Sequence, residues 1–181
     1  MIIKIKIKSK NIYLKSLKDN DITKKYISWL NDKRVNKFLE TRHSIHTYDS
    51  ISKFIDTCNK SKNIYLLGIF NSENNIHIGN IKLGPIKMEH KLASVSLFIG
   101  QKEFWGKGIS VEAIKTITNY AFDILNLNKV VAGMYIKNIK SIKAFKKVGF
   151  KKEGLRIQHY KLDGKYEDVI QLGLLKNEFK K

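Results

Sequence analysis

Cysteine is nearly absent. Its single occurrence, Cys58, rules out an internal disulfide framework, and a reducing, cytoplasmic setting is the expectation that follows. Proline is equally scarce: Pro85 stands alone near the end of the apolar segment from Ile76 to Ile86, where a strand tolerates a missing N–H. No continuous apolar run is long enough to cross a bilayer. Met1 to Lys8 alternates Ile with Lys, a strand pattern rather than an export signal or membrane span, so no membrane partner is expected. Internal repeats, linkers and low-complexity tracts are missing too. Arginine is confined to Arg34, Arg42 and Arg156 in a chain otherwise reliant on lysine.

Positive charge, by contrast, is abundant. Lys and Arg number 35 against 16 Asp and Glu, for a formal net charge of +19. Clustered cations capture nucleic acid by displacing counterions, but these lysines are scattered through every segment alongside many Ile and Asn. That pattern reads as compositional bias, and no dedicated nucleic-acid partner is expected. The field would still draw in a small anion. With 181 residues and 43% hydrophobic content, the chain suffices for one domain, 1–181, with a sizeable core.

Periodicity sets out the elements in order. Asn11 to Leu17 reads as a strand. Asp19-Asn20-Asp21 offers N-cap chemistry for a helix carrying Ile22, Tyr26, Ile27, Trp29 and Leu30, followed by an irregular helical stretch from Asn31 to Glu40. Thr47 can cap a further helix ending near Cys58, whose spacing with Tyr48, Ile51, Phe54 and Ile55 suits a buried position. Ile64 to Phe70 and Ile76 to Ile86 form a hairpin across the polar turn Asn71 to Asn75. After a further strand, Val95 to Ile99, a helix runs from Ser110, and Lys129 to Ile136 is strand again. Ser141 to Val148 is a short helix stopped by Gly149. Asp163-Gly164 turns a last hairpin between the strand from Phe150 and the strand Tyr166 to Leu175. The order β-α-α-β-β-β-α-β-α-β-β is that of a mixed α/β layer architecture.

The stretch most suited to chemistry joins the strand Val95 to Ile99 to its following helix through Gly106-Lys107-Gly108. Glycines let a backbone approach a ligand closely, and a helix N-terminus presents unpaired N–H groups to an anion such as a pyrophosphate. A nucleotide-hydrolysing phosphate loop does not fit, because five residues separate Gly100 from Gly106-Lys107 and Gly108 follows. A dinucleotide fingerprint does not fit either, because Val111 stands where its third glycine belongs. Two glycines alone also read as a tight strand-to-helix turn without a ligand.

The turn Trp105-Gly106-Lys107-Gly108 between strand and helix is followed by Asn138-x-x-Ser141 and by Lys147-Val148-Gly149-Phe150. On these motifs nearly the whole chain resembles the GCN5-related N-acetyltransferase family. Glu153-Gly154-x-Arg156, Gly164-Lys165 and Asp168 look like its branch of ribosomal-protein alanine, spermidine and nucleotide-sugar acetyltransferases. The resemblance implies a single-domain α/β fold whose mixed, mostly antiparallel sheet has splayed central strands and helices on both faces. It implies acetyl-CoA as donor, no metal and a small-molecule amine as acceptor, and it is compatible with a homodimer. Val95 to Ile99 and Val130 to Ile136 would part, letting the pantetheine arm pair along Leu97, Phe98 and Ile99. The amides of Gly106, Lys107, Gly108, Ile109 and Ser110 would hold the pyrophosphate and Asn138 and Ser141 would line the cofactor's far side, with Trp105 and Phe145 as further cofactor-binding residues. Taken singly, Asn138 also reads as a helix-entry residue and Ser141 as an N-cap.

Two positions depart from the family pattern. Glu103 replaces the usual Gln or Arg three residues before Gly106, and Phe145 replaces the Tyr often held to protonate the leaving thiolate. Tyr135, Tyr160 and Tyr166 remain as substitutes, or as packing residues. The strand Glu common in the family is also missing, with Ser94 and Ser96 in its region. An attacking amine must be neutral, and Glu40 or His43, in the segment the family sets at the acceptor mouth, are the candidates to take its proton. His46, His77, His90 and His159 read as surface or structural residues. An apolar mouth including Trp29 would also lower the amine's own pKa. Cys58 has no His or Asn placed near it by sequence and is a poor nucleophile, so direct transfer is expected.

Arginine retained in so lysine-rich a chain points to planar, bidentate recognition of a carboxylate or phosphate. The alternative is an internal ion pair, for instance with Asp32, Glu40 or Asp168, the reading preferred for Arg34, while Arg42 and Arg156 are the better candidates for gripping an anionic acceptor. Arg34, Arg42, Lys33 and Lys37 against Asp32 and Glu40 disfavour a polyamine. A nucleotide-activated amino sugar fits better, its rings stacking on Trp29 or Tyr160, and Tyr135 is a further candidate for binding the acceptor. Protein N-termini and polyamines are the alternatives. A non-catalytic acyl-CoA or nucleic-acid-binding module is the competing class.

Overall fold

The computed structural model describes residues 5–180. Its strands are β1 (Lys6–Lys8), β2 (Ile12–Ser16), β3 (Tyr65–Asn71), β4 (His77–Lys87), β5 (Leu92–Ile99), β6 (Lys129–Tyr135), β7 (Lys151–Leu162) and β8 (Lys165–Leu175). Its helices are α1 (Lys24–Asn31), α2 (Lys33–Asn36), α3 (Tyr48–Lys60), α4 (Ile109–Asp123) and α5 (Ile139–Val148). All eight strands form one sheet in the order β1-β2-β3-β4-β5-β6-β8-β7. Every neighbouring pair is antiparallel except β5 with β6. The alternation from Met1 therefore yields a strand at Lys6–Lys8, and residues 1 to 4 lie outside the described residues.

Strand alternation sends successive side chains of β3 into two separate cores. Leu67 and Ile69 join α4, α5 and most of the sheet in the larger core, whereas Leu66 and Phe70 meet α1 and α3 in the smaller. Helices thus cover both faces. α4 turns Ile109, Ala113, Ile114, Ile117, Thr118, Ala121 and Phe122 inward, the three-and-four spacing of an amphipathic helix. On α3 the same spacing buries Ile51, Ile55 and Cys58, while Tyr48 and Phe54, counted with them from sequence, turn outward to 46% and 47% exposure.

Local chemistry sets most of the boundaries. Thr47 caps α3 in a reciprocal capping box with Ser50. Gly149 closes α5 in the left-handed region at φ 110°. Asp163 and Gly164 both take positive φ, 51° and 81°, as a two-residue hairpin turn of this twist requires. Pro85 sits at a register break between Leu83 and Ile86, where the ladder needs no N–H from it. Two start signals differ from the sequence reading. Asp19–Asp21 forms its own 3-10 turn, and α1 is capped by the Thr23 hydroxyl, which accepts from the Tyr26 N–H at 3.1 Å. α5 begins at Ile139, with Asn138 rather than Ser141 as its N-cap; the Asn138 side chain accepts the Ser141 N–H at 3.4 Å.

Candidate active site

β5 and β6 pair only at their starts, Leu92 with Lys129, Ala93 with Val130 and Ser94 with Val131. Beyond that point β5 stays bonded to β4 as far as Ile99, and β6 stays bonded to β8 as far as Tyr135. The two strands part, leaving one backbone edge of Val95 to Ile99 without a strand partner. An unpaired edge of this kind accepts an extended amide-bearing chain as an added strand.

The gap leads to the glycine turn. Gly106 and Gly108 take φ of 78° and 79°, a region that L side chains seldom adopt. A Cβ on either would meet no protein atom within 4 Å, so the outer face of the turn is open. Gly108 is the N-cap of α4 and supplies no side-chain acceptor to the helix's first amides. Open approach and uncapped N–H groups together form an anion cradle. Beside it, Trp105 donates from Nε1 to the Ile99 carbonyl at 2.8 Å, at the end of the unpaired edge. The Lys140 ammonium of α5 lies 5.8 Å from the centre of the same ring.

Across the gap, Glu40, Arg42 and Tyr135 form one cluster. The Tyr135 hydroxyl donates to Glu40 Oε1 at 2.5 Å and accepts from Arg42 Nη2 at 2.8 Å. Arg42 also donates to Glu40 Oε1 at 3.0 Å, to the Leu39 carbonyl at 2.9 Å and to the Lys161 carbonyl at 2.6 Å. Burial disfavours the Arg42 cation, but its bonds to Glu40 and Tyr135 outweigh this and hold its pKa above the ordinary arginine value. The Tyr135 hydroxyl is pushed up to about 12, first by burial and then by the Glu40 carboxylate. Glu40 Oε2 has no hydrogen-bond partner among the described residues, so one lone-pair face of this carboxylate is open.

Asp32 joins the two sides. It accepts the Arg34 N–H at 2.8 Å as the cap of α2 and binds the Lys102 ammonium, in the turn just before Trp105. The Lys102 hydrogen bond, with help from the Arg34 N–H, draws the Asp32 carboxyl down to about 2.

A family model for the acetyltransferase (GNAT) domain matches residues 11–151. The chain belongs to the GNAT acetyltransferases. It is an acyltransferase whose donor is acetyl-CoA, which sets aside the non-catalytic alternative. The uncharacterised N-acetyltransferase p20 of Bacillus licheniformis is 30% identical over 90% of both chains. A spermidine N(1)-acetyltransferase of Vibrio cholerae is 29% identical over 56% of this chain and 58% of its own length. Among solved structures, a spermidine N-acetyltransferase from Vibrio cholerae in complex with CoA and spermine superposes with a TM-score of 0.84. It is 21% identical and covers 93% of this chain and 97% of its own. A GNAT-family acetyltransferase from Bacillus anthracis superposes with a TM-score of 0.83 at 18% identity, over 96% and 100%.

The residues of this GNAT chain fit its donor. The unpaired edge of β5 suits the amides of the pantetheine arm, and the open glycine turn suits the pyrophosphate. Leu97, Phe98 and Ile99 lie on that edge, and Trp105, Gly106, Lys107, Gly108, Ile109 and Ser110 make the turn and the start of α4. Asn138 and Ser141 stand at the opening of α5, the Asn138 side chain spent on the cap. Phe145 needs correction as a cofactor contact. It is 1% exposed and packs edge to face with Phe150 in the core, because its turn of α5 faces the sheet.

On the acceptor side two expectations also change. Trp29 is 5% exposed, packed against Tyr26, His77 and the bare backbone of Gly100, and so is unavailable for stacking. Arg42 is no free fork, since Glu40, Tyr135 and two carbonyls occupy it. Tyr160 is partly exposed and its ring tilts against that of Tyr135, with centres 5.8 Å apart. Arg156 is exposed, and its guanidinium lies 3.2 Å from His159 Nε2. His43 is exposed with no hydrogen bond among the described residues, and Arg34 pairs with Asp32 at 3.5 Å. The sequence reading missed the Asp32 to Lys102 link and the grouping of Glu40 with Tyr135. Residues 70 and 95 apart in the chain offer no local signal of contact.

Proposed function

We propose that this acetyltransferase delivers the acetyl group directly to the primary amine of a small anion-bearing molecule, of which a nucleotide-activated amino sugar is the type. One observation carries the reading. Four carboxylates around the mouth are already held by cations: Glu40 by Arg42, Asp32 by Lys102 and Arg34, Asp163 by Lys37, and Glu167 by Lys137. Lys165 and Arg156 have no acidic partner among the described residues. A polycation seeks unspent carboxylates, whereas an anionic acceptor gains from the surplus cations.

The bound donor supplies an activated thioester carbonyl, and the protein's part is to present a neutral amine to it. Glu40 Oε2 is the open acceptor for the amine's proton, held in place because Oε1 is fixed by Tyr135 and Arg42. Arg42 sets the orientation of the carboxylate through its bond to Oε1. Once Oε2 carries the proton, Glu40 becomes a poorer acceptor and loosens its hold on the Tyr135 hydroxyl, which is then able to donate elsewhere. Tyr160 and Arg156 extend the mouth on the β7 side.

A second reading, a polyamine acceptor, is motivated by the similarity to spermidine acetyltransferases. A screen of thiol release from acetyl-CoA separates the two, using amino-sugar nucleotides, spermidine and peptides with free N-termini. The proposal predicts the highest kcat/KM for a nucleotide-linked amine. A clear preference for spermidine or for a peptide would refute it.

A further inference from the structure

Beside the mouth lies a cavity of about 470 Å³ bounded by Lys37, Phe38, Lys137, Asp163, Lys165 and Glu167. We infer that it is a binding site for a phosphate or diphosphate group, and, resting on the function proposed above, that it takes the anionic end of the acceptor.

Three lysines from distant parts of the chain line the cavity. Lys37 follows α2, Lys137 follows β6, and Lys165 opens β8 after the Asp163-Gly164 turn. Two carboxylates oppose them, so the lining carries a net charge of one positive unit. The three cations are not equally committed. Lys165 has no partner among the described residues. Lys37 pairs with Asp163 at 3.2 Å, but both side chains are well exposed, 48% and 74%, and a surface pair of this kind contributes little. A phosphate can take Asp163's place at low cost. Lys137 is held by Glu167, the one largely buried carboxylate of the group at 8% exposure, which positions that ammonium on the wall.

The cavity also joins the site of chemistry. Phe38 lines it and tilts against Tyr135 with ring centres 5.9 Å apart. Arg42, bonded to Glu40 and Tyr135, reaches the carbonyl of Lys161, next to the lining residue Leu162. One wall thus runs from the phosphate site to the carboxylate proposed to receive the amine's proton. The scarcity of arginine points to Arg42 and Arg156 for gripping an anion; the structure spends Arg42 internally and sets Lys165, a lysine unpaired among the described residues, one step outward.

The test is a calorimetric titration of inorganic pyrophosphate into the full chain held at saturating CoA, so that the glycine turn is already filled. One site is expected. Lys165→Ala should weaken it at least tenfold and Lys165→Arg should retain it. Lys53→Ala, which removes the same charge from the exposed side of α3, should leave it unchanged. Absence of binding once CoA is present would overturn the inference, as would equal weakening by Lys53→Ala and Lys165→Ala, the signature of a diffuse field. Acetyl transfer is read separately by thiol release. A protein that acetylates amines without binding pyrophosphate overturns only the cavity's role. One that binds pyrophosphate but prefers spermidine supports the anion site and overturns its assignment to the acceptor.

Discussion

Replacing Gly108 by Val separates what the glycine turn does for the fold from what it does for the donor. At φ 79° an L residue bears a strain of about 1–2 kcal/mol, and a β-branched one stands at the upper end. No protein atom lies within 4 Å of the new Cβ, so steric collision with the protein adds nothing at that atom. For a chain of this size each kcal/mol lowers Tm by roughly 2–4 °C, so the variant should remain folded with a melting point a few degrees down. The same open space is the proposed approach of the donor's pyrophosphate to the backbone, and two γ-methyl groups should obstruct it. We expect acetyl-CoA affinity to fall at least tenfold, about 1.4 kcal/mol, by calorimetry. Gly108→Ala shares the strain but lacks the γ-methyls, and its affinity loss should be smaller. A folded Val variant with unchanged affinity would place the donor elsewhere, and equal losses for Ala and Val would show that strain, not obstruction, is responsible.

Glu40→Gln removes the proposed proton acceptor but keeps a partner for Tyr135 and Arg42; kcat/KM should drop by about 10²–10⁴ with the melting point little changed, and a loss under tenfold would remove Glu40 from that role. Phe145→Tyr, the family's common residue, puts a hydroxyl into a site 1% exposed and should destabilise by about 1–3 kcal/mol in a denaturant titration without raising turnover. Higher turnover would show that this side chain reaches the donor after all. His77 is partly buried, its ring packed among Phe70, Tyr26 and Trp29, and desolvation there lowers its pKa from the ordinary 6.5. The unfolded chain therefore takes up the proton first. This contribution is fully present above about pH 6.5 and is lost as pH falls through that value toward the depressed one. His77→Phe should flatten that part of the Tm-versus-pH curve, and an unchanged slope would contradict the assignment.

Where local chemistry decides, sequence and structure agree. The Thr47 cap, the Gly149 stop, the Asp163-Gly164 turn and the glycine turn into α4 each rest on backbone requirements visible within a few residues. The parting of β5 from β6 came through the family resemblance, and the register of the two strands bears it out. Competition among neighbouring polar residues was not legible: Asp19 to Asp21 and Thr23 both offer cap chemistry, and only packing of Tyr26 and Trp29 fixes α1 one turn later. The direction of large side chains was hidden as well. Trp29 reads equally as mouth or core until Gly100 is seen beneath its ring. Arg42 reads as a free fork until Tyr135 and Lys161, far along the chain, are folded against it.

The central claim is direct acetyl transfer at the parted strands, with no covalent stop on the protein. Its most direct test combines the mass of the intact protein after mixing with acetyl-CoA alone with free thiol release when an amine acceptor is then added. Cys58 is 2% exposed and burial raises its thiol pKa, so the protein's mass should stay unchanged and thiol should appear only when donor and amine are both present. An acetylated protein that discharges on adding the amine, or no thiol release with any amine despite bound donor, would contradict the account.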